Sequence, residues 1–555
     1  IKKKPASFKN TIEGLEFSSE LLERVESIFG DFANTAATPE IENIKEEFDN
    51  RCTAHRSALL TDAALFARVK QVYDAKDGLS LTPEQMRLLE KTYKRFTRNG
   101  ALLPPEKKAR LNEIDALLSS KTTQFSLNKK LSTAEYKKVI DNEDDLKGVP
   151  ERAKRIYKEF AIEADMPDKW LIRLSPPPFD ILEYADNRAL RHEIRQAFSS
   201  IACKSPHDNG PFVLDIVRLR HERAQLLGYK THAHFILEDR MAKTPEKVFE
   251  FLEKNAKVYR PAAEAFLQQV KDFARETDGI TDFQSHDMGY YSRALREHLF
   301  KLDVEALRPY FSLDNVLKGV REHAENLFNL TITDVTGKFP TKTPDTRVYQ
   351  VASKETGETL GIFYGDFTAR AETKRGGAWE SKYRGRGISG GKNEIPLVIN
   401  VCNFDQPVGD QPTLVGISDG ETVFHEFGHA LQDLLARGNY PSLTGTNVKW
   451  DYVEVASQLM ENWMMEKEVL DSFAVHYQTG EKLPADIVQK IIDMKNFGAG
   501  YGGLRQTYLA MLDMKWHTTN PDDIGDDGNA LEDDIIAQYW LFPRAEGTST
   551  TNSFH

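Results

Sequence analysis

Residues 421–435 read ETVFHEFGHALQDLL, and residues 448–465 read VKWDYVEVASQLMENWMM. The first stretch holds H-E-x-x-H at His425, Glu426 and His429. An α-helix advances about 100° per residue, so residues four apart lie about 40° from each other on one face. Both imidazoles can then reach a single ion. Glu421 and Gln432 share their stripe, Glu426 lies beside it, and Val423, Phe424, Phe427, Leu431, Leu434 and Leu435 fill the other side. Such an apolar arc anchors a helix in a core and turns its polar stripe toward a cleft. The second stretch predicts another helix over 448–465. Glu454 shares a stripe with Asp451, Gln458 and Glu461, while Tyr452, Val453, Val455, Leu459, Met460, Trp463 and Met464 cover the rest. Carboxylates and amides on an otherwise apolar helix are costly unless they meet water, a cation or one another.

A catalytic zinc takes three protein ligands and keeps one position open. His425, His429 and Glu454 supply such a set, two imidazoles and a carboxylate, for one Zn2+ ion. The alternative for the second stretch is a solvated acidic face. Zinc held this way keeps net positive charge, lowers the pKa of a bound water toward neutrality and polarises a peptide carbonyl. Glu426 is not needed as a ligand. It is placed to take a proton from that water and pass it to the leaving amine. Glu421 and Glu461 are candidates for accepting the distal N–H of the two imidazoles, with a plain surface role as the alternative for each.

VFHEFGHALQ followed by DYVEVASQLMENW resembles the signature of the M3 metallopeptidases, the thimet oligopeptidase family. YPSLTGTNV at 440–448, LEDRMAKTPE at 237–246 and RGGAWESKYRG at 375–385 resemble the bacterial dipeptidyl carboxypeptidase branch. The resemblance runs over nearly the whole chain and is strongest from about Tyr184 onward. It divides the chain into an N-terminal helical region, 1–184, and a zinc peptidase region, 185–555. It implies that Glu454 is the third zinc ligand. It also implies a mainly α, two-lobed, zincin-type fold with a small β-sheet beside the H-E-x-x-H helix and a deep central channel. Short peptides are the implied substrates, with C-terminal dipeptides released, or internal bonds cut in an oligoendopeptidase mode. Ala456 stands where the family usually has Pro. The family also has a Gly- and Tyr-rich loop after a stretch like FPRAEGTSTTNSFH, whose tyrosines stabilise the oxyanion. The sequence ends at His555, about where that loop begins, so a zinc- and peptide-binding but catalytically impaired form is a further expectation.

The rest of the chain supports a large helical body. Helical periodicity marks 11–30, stopping at Gly30, and 85–98, 105–131, 187–200, 211–227 and 246–276, the last opened by Thr244-Pro245. Strand-like runs fall at 327–335, 346–352, 360–364 and 395–403. The run 395–403, IPLVINVCN, is either a sheet edge that pairs with peptide backbone or an ordinary buried strand. Lys515, Arg505 and Arg544 are available to hold a substrate carboxylate, and the sequence selects none of them.

With 555 residues, 40% hydrophobic and 28% charged, the chain reads as globular, without wholesale disorder. A net charge of -12 argues against nucleic-acid binding. No apolar run is long enough to span a bilayer. The first residues, Ile1 to Lys4 followed by Pro5, Ala6 and Ser7, do not read as a signal peptide. The expectation is a cytoplasmic monomer with no membrane partner, or a periplasmic one if an upstream segment is removed. Cys52, Cys203 and Cys402 form neither a disulfide framework nor a metal knuckle. Gly385 to Gly390 matches G-x-G-x-x-G but opens no helix, and the acidic stretch 522–534 does not fit a calcium loop.

Overall fold

The computed structural model describes residues 4–370, 373–389, 392–407, 409–525 and 528–553. His555, Gly390, and Asp526 and Asp527 of the acidic stretch lie outside the described residues. The chain forms two compact units, one from Ile1–Leu103 with Asp303–Lys495, the other from Pro104–Leu302 with Asn496–His555. This division is one of compactness; the division at 184/185 follows where the family resemblance strengthens. Helices used below are α1 (Glu20–Thr35), α2 (Pro245–Asp278), α3 (Leu313–Phe328), α4 (Ile417–Leu434), α5 (Val455–Met464) and α6 (Ala499–Thr518). The strands of the principal sheet are β1 (Leu330–Asp334), β2 (Arg347–Ser353), β3 (Thr359–Thr368), β4 (Trp379–Arg384) and β5 (Leu397–Phe404). The fold is mainly helical, with this small mixed sheet just ahead of α4.

In the first unit the strands lie in the order β1-β2-β3-β5-β4. β5 runs parallel to β3, with Ile362 opposite Leu397, and antiparallel to β4, with Trp379 opposite Val401. The apolar run around β5 is therefore an interior strand, not an edge. Val398, Ile399, Val401 and Cys402 are fully buried because both faces of β5 are covered. The edge beside α4 is β4, WESKYR, whose polar composition hid it from the sequence pattern. It also places a strand before the G-x-G-x-x-G stretch; a short hairpin, Gly387–Ser389 with Lys392–Glu394, follows instead of a helix.

α4 packs over this sheet through its apolar arc. The Phe427 ring meets the Phe363 ring of β3 edge-on, with centroids 5.1 Å apart. Its N-terminus is closed by the Asp419 carboxylate, which accepts from the Gly416 N–H at 2.8 Å. The expected single helix over 448–465 is broken: a 3-10 turn, Trp450–Tyr452, precedes the ten-residue α5, and Glu454 is its N-cap residue. Tyr452, Val453 and Val455 are weak helix formers, which favours a break there. The apolar cover expected on this segment is also only partial. Met460 and Met464 are buried, but Leu459 is 56% and Val455 49% exposed, because so short a helix packs on α4 through one flank.

The expected helix over 11–30 is likewise divided, into Phe8–Glu13, Gly14–Glu16 and α1, which continues through Gly30 to Thr35. The buried side chains of α1 are polar: Asp31 receives hydrogen bonds from Lys342 at 2.7 Å and from the Tyr383 hydroxyl at 2.6 Å. Leu21, one of the residues at helical spacing in 11–30, is 76% exposed.

In the second unit α2 and α6 cross closely. A Cβ at Gly503 would lie 2.8 Å from the Tyr259 ring and one at Gly500 2.7 Å from Ala262. Around this contact Met511, Leu512, Tyr508 and Trp516 of α6 pack with Leu252 and Ala256 of α2. The Thr244 hydroxyl caps α2 as expected, accepting from the Lys247 N–H. Among the described residues no helix is long and apolar enough to cross a membrane.

Candidate metal centre

Two glycines of α4 set the site. A Cβ at Gly428 would lie 2.6 Å from the Ala456 carbonyl oxygen and 2.7 Å from the Ser457 Cα. A Cβ at Gly420 would lie 2.4 Å from the Met464 Cε. Without those side chains α4 and α5 approach almost backbone to backbone, and Glu454, at the start of α5, arrives opposite the two histidines. Ala456 touches α4 through its carbonyl and takes no part in the ligand cluster.

The three side chains converge through one atom each. Glu454 Oε2 lies 3.0 Å from His429 Nε2 and 3.3 Å from His425 Nε2. One ligand atom from each of His425, His429 and Glu454 lies within 4.8 Å of the others. The donor chemistry, two imidazole nitrogens and a carboxylate oxygen, is that of a catalytic zinc site. Burial pulls the His429 imidazole below its usual range, against the pull of Glu454, which favours the neutral ring that offers a lone pair.

The outer contacts divide unequally. His425 Nδ1 lies 2.6 Å from Glu461 Oε1. Glu421 makes no hydrogen bond to either imidazole among the described residues. It sits one turn before His425 on the same helix, while Glu461 comes from α5 directly opposite the ring. Burial and then the neighbouring Glu461 raise the Glu421 carboxyl. Ser457, which the sequence reading did not single out, donates its hydroxyl to Glu454 Oε2 at 2.7 Å. Its signal was present: a hydroxyl three residues after the candidate ligand, one helical turn on.

Glu426 is only 5% exposed, and its Oε2 is buried without a hydrogen-bond partner. Burial lifts its carboxyl; His425 opposes this and Glu454 adds to it, leaving it pushed up to about 7. Behind it, β4 and α4 enclose a second polar group. Asp433 accepts from Lys382 Nζ at 2.8 Å and from the Thr446 hydroxyl at 2.7 Å. Burial, then Asp433, raise the Glu380 carboxyl. The donor set, the groups of Glu461 and Ser457 that orient it, and the orphaned carboxylate oxygen beside it together suit a divalent cation.

Comparison with known proteins bears on the family. A profile of Peptidase family M3 matches residues 181–554. Organellar oligopeptidase A of Arabidopsis thaliana is 33% identical over 527 residues, covering 91% of this chain and 66% of its own length. Oligopeptidase A of Salmonella typhimurium is 33% identical over 521 residues, covering 92% of this chain and 76% of its own. Dipeptidyl carboxypeptidase of Escherichia coli is 33% identical over 515 residues, covering 92% and 75%. The chain thus spans 66% of the plant relative and about three quarters of the bacterial two. With the match extending over most of its length, the chain belongs to peptidase family M3.

Proposed function

We propose that this protein is a zinc peptidase that hydrolyses short peptides, with His425, His429 and Glu454 as ligands and Glu426 as the catalytic carboxylate. Release of C-terminal dipeptides is the leading mode and internal cleavage the alternative, following the two kinds of relative. The observation that carries the reading is the convergence of His425 Nε2, His429 Nε2 and Glu454 Oε2 beside the buried, unpartnered Oε2 of Glu426.

Zinc, when bound, supplies Lewis acidity toward a water and a peptide carbonyl. Glu426 receives the proton of the attacking water at Oε2 and returns it to the leaving amine, and its raised basicity suits both transfers. Glu461 holds the His425 ring through Nδ1, and Ser457 holds the Glu454 carboxylate. The edge strand β4 runs beside α4, and an extended peptide added to it would gain main-chain hydrogen bonds next to Glu426.

Glu426→Gln tests the assignment. The variant should keep its metal and lose about 10²–10⁴-fold in kcat. Unchanged turnover would remove Glu426 from the mechanism. Metal occupancy undiminished in Glu454→Ala would remove the centre itself. Cleavage of one peptide with a free or an amidated C-terminus separates the two modes, since a carboxypeptidase loses most of its activity on the amide.

A further inference from the structure

The second unit contains a cavity of about 790 Å³, lined among others by Arg195, Arg505, Gln506, Leu509, Trp540 and Phe542. A neighbouring cavity of about 420 Å³ shares Arg195, Arg505, Trp540 and Phe542 and adds Tyr501. Neither Arg195 nor Arg505 has a carboxylate within ion-pair distance among the described residues. Arg296 has none either, but it lines only the smaller cavity. Arg544 forks onto Asp533, with both contacts at 2.8 Å, and Glu532, the acid in the larger cavity's wall, is taken up by Ser549, Thr550 and Thr551. Lys515 stands 5.6 Å over the Phe249 ring. Of the three cations open from sequence to hold a carboxylate, Arg505 is the one that lines both cavities without a carboxylate at ion-pair distance; the acids in their walls are Glu532 and Glu183.

Burial, and then Arg505, push the Arg195 guanidinium below its usual range, with Tyr501 opposing. Two guanidiniums that share a cavity wall and repel each other, one of them largely desolvated, are costly without a counter-charge. A planar two-oxygen anion matches the guanidinium fork. The remaining lining is mixed: Trp540 and Phe542 form an aromatic side, with Trp540 tilted against Tyr501 at 5.1 Å between ring centroids, while Gln506 offers an amide and serines, threonines, His192 and His286 make up much of the rest. The aromatic side suits an apolar side chain and the Gln506 amide a peptide group, neither of which a bare inorganic anion carries.

We propose that Arg195 and Arg505 form a binding site for the carboxylate of a short peptide carrying an apolar C-terminal side chain. The site is built wholly within the second unit and does not depend on the metal centre. Its ligand class is that of the proposed substrate, so its test is a binding measurement on the full chain with metal and after chelation, not an activity assay.

Calorimetric titration with an N-acetyl dipeptide ending in Phe, as free acid and as amide, and with inorganic phosphate, decides it. The acid should bind in both metal states, and the amide at least about tenfold more weakly, as expected for losing a charge-assisted pair. Arg505→Gln, at an exposed position, should bring the acid down to the amide's level, while Arg505→Lys should retain part of the difference. Arg195→Gln should act like Arg505→Gln wherever its melting temperature is native. Equal binding of acid and amide, no binding of the acid at millimolar concentration, or full binding by native-melting Arg505→Gln would each overturn the proposal. Phosphate binding as tightly as the acid would overturn the peptide assignment in favour of a simple oxyanion site. Failure of the metal reading would appear in metal content and leave this titration unmoved.

Discussion

Removing the Ser457 hydroxyl is expected to lower metal affinity by about 10–100-fold while the ligands stay in place, because the Glu454 carboxylate loses the group that orients it. Competition with a chelator measures this, and unchanged affinity would reduce Ser457 to a helix-terminal hydrogen bond. Glu461→Gln should give a milder loss, since an amide oxygen can still accept from His425 Nδ1. The convergence of His425 and His429 was legible from spacing, because H-E-x-x-H fixes two imidazoles on one face; Glu454 was picked from the acids of its stripe by the family resemblance. The outer contacts were not legible. A helical wheel placed Glu421 and Glu461 on equal terms, and only the packing of α5 across α4 brings Glu461 to the ring and leaves Glu421 without an imidazole. Ser457 escaped because the stripe was read for its acids and amides alone, although a hydroxyl three residues after Glu454 lies beside it on a helix.

The contact between α4 and α5 makes its own prediction. Gly428→Ala places a methyl group against backbone that cannot move alone, so the helices must separate. The expected result is a loss of stability of about 1–3 kcal/mol in denaturant titration, together with weakened metal binding. Gly420→Ala, which meets the flexible end of Met464, should cost less and spare the metal. Equal effects of the two would show that close approach at Gly428 does not position Glu454. At this scale the sequence was informative wherever apolar residues recur at helical spacing, as in α2. It failed where tertiary contacts override pattern. β4 is a strand because β5 pairs with it, despite its polar run, and α1 is held by Asp31 and not by its leucines.

Within the first unit a buried ionic cluster joins two distant segments. Lys342 binds Asp31 at 2.7 Å and Asp366 at 3.2 Å, and Asp366 also pairs with Arg370 at 2.7 Å and Lys374 at 2.8 Å. Lys342→Met leaves buried carboxylates short of a cation and should cost about 3–5 kcal/mol in urea unfolding. Burial raises the Asp366 carboxyl, but Arg370 and Lys374 outweigh it and hold it below the usual range. Its contribution is therefore fully present above the unfolded carboxylate value, about pH 4, and is lost as pH falls through the lower folded value. Stability measured between pH 5 and pH 2 should fall more steeply in the native protein than in Asp366→Asn.

Because the first unit is assembled from Ile1–Leu103 and Asp303–Lys495, its opening helices leave the ribosome before their partners exist. At about 5–20 residues per second, translation of the intervening segment takes roughly 10–40 s. Throughout that interval Asp31 has no lysine to meet, although Phe8, Ile12, Leu65 and Phe96 can already pack with one another. Chaperone capture during synthesis should therefore include the segment around Asp31 and fall once Lys342 and Asp366 have emerged from the ribosome.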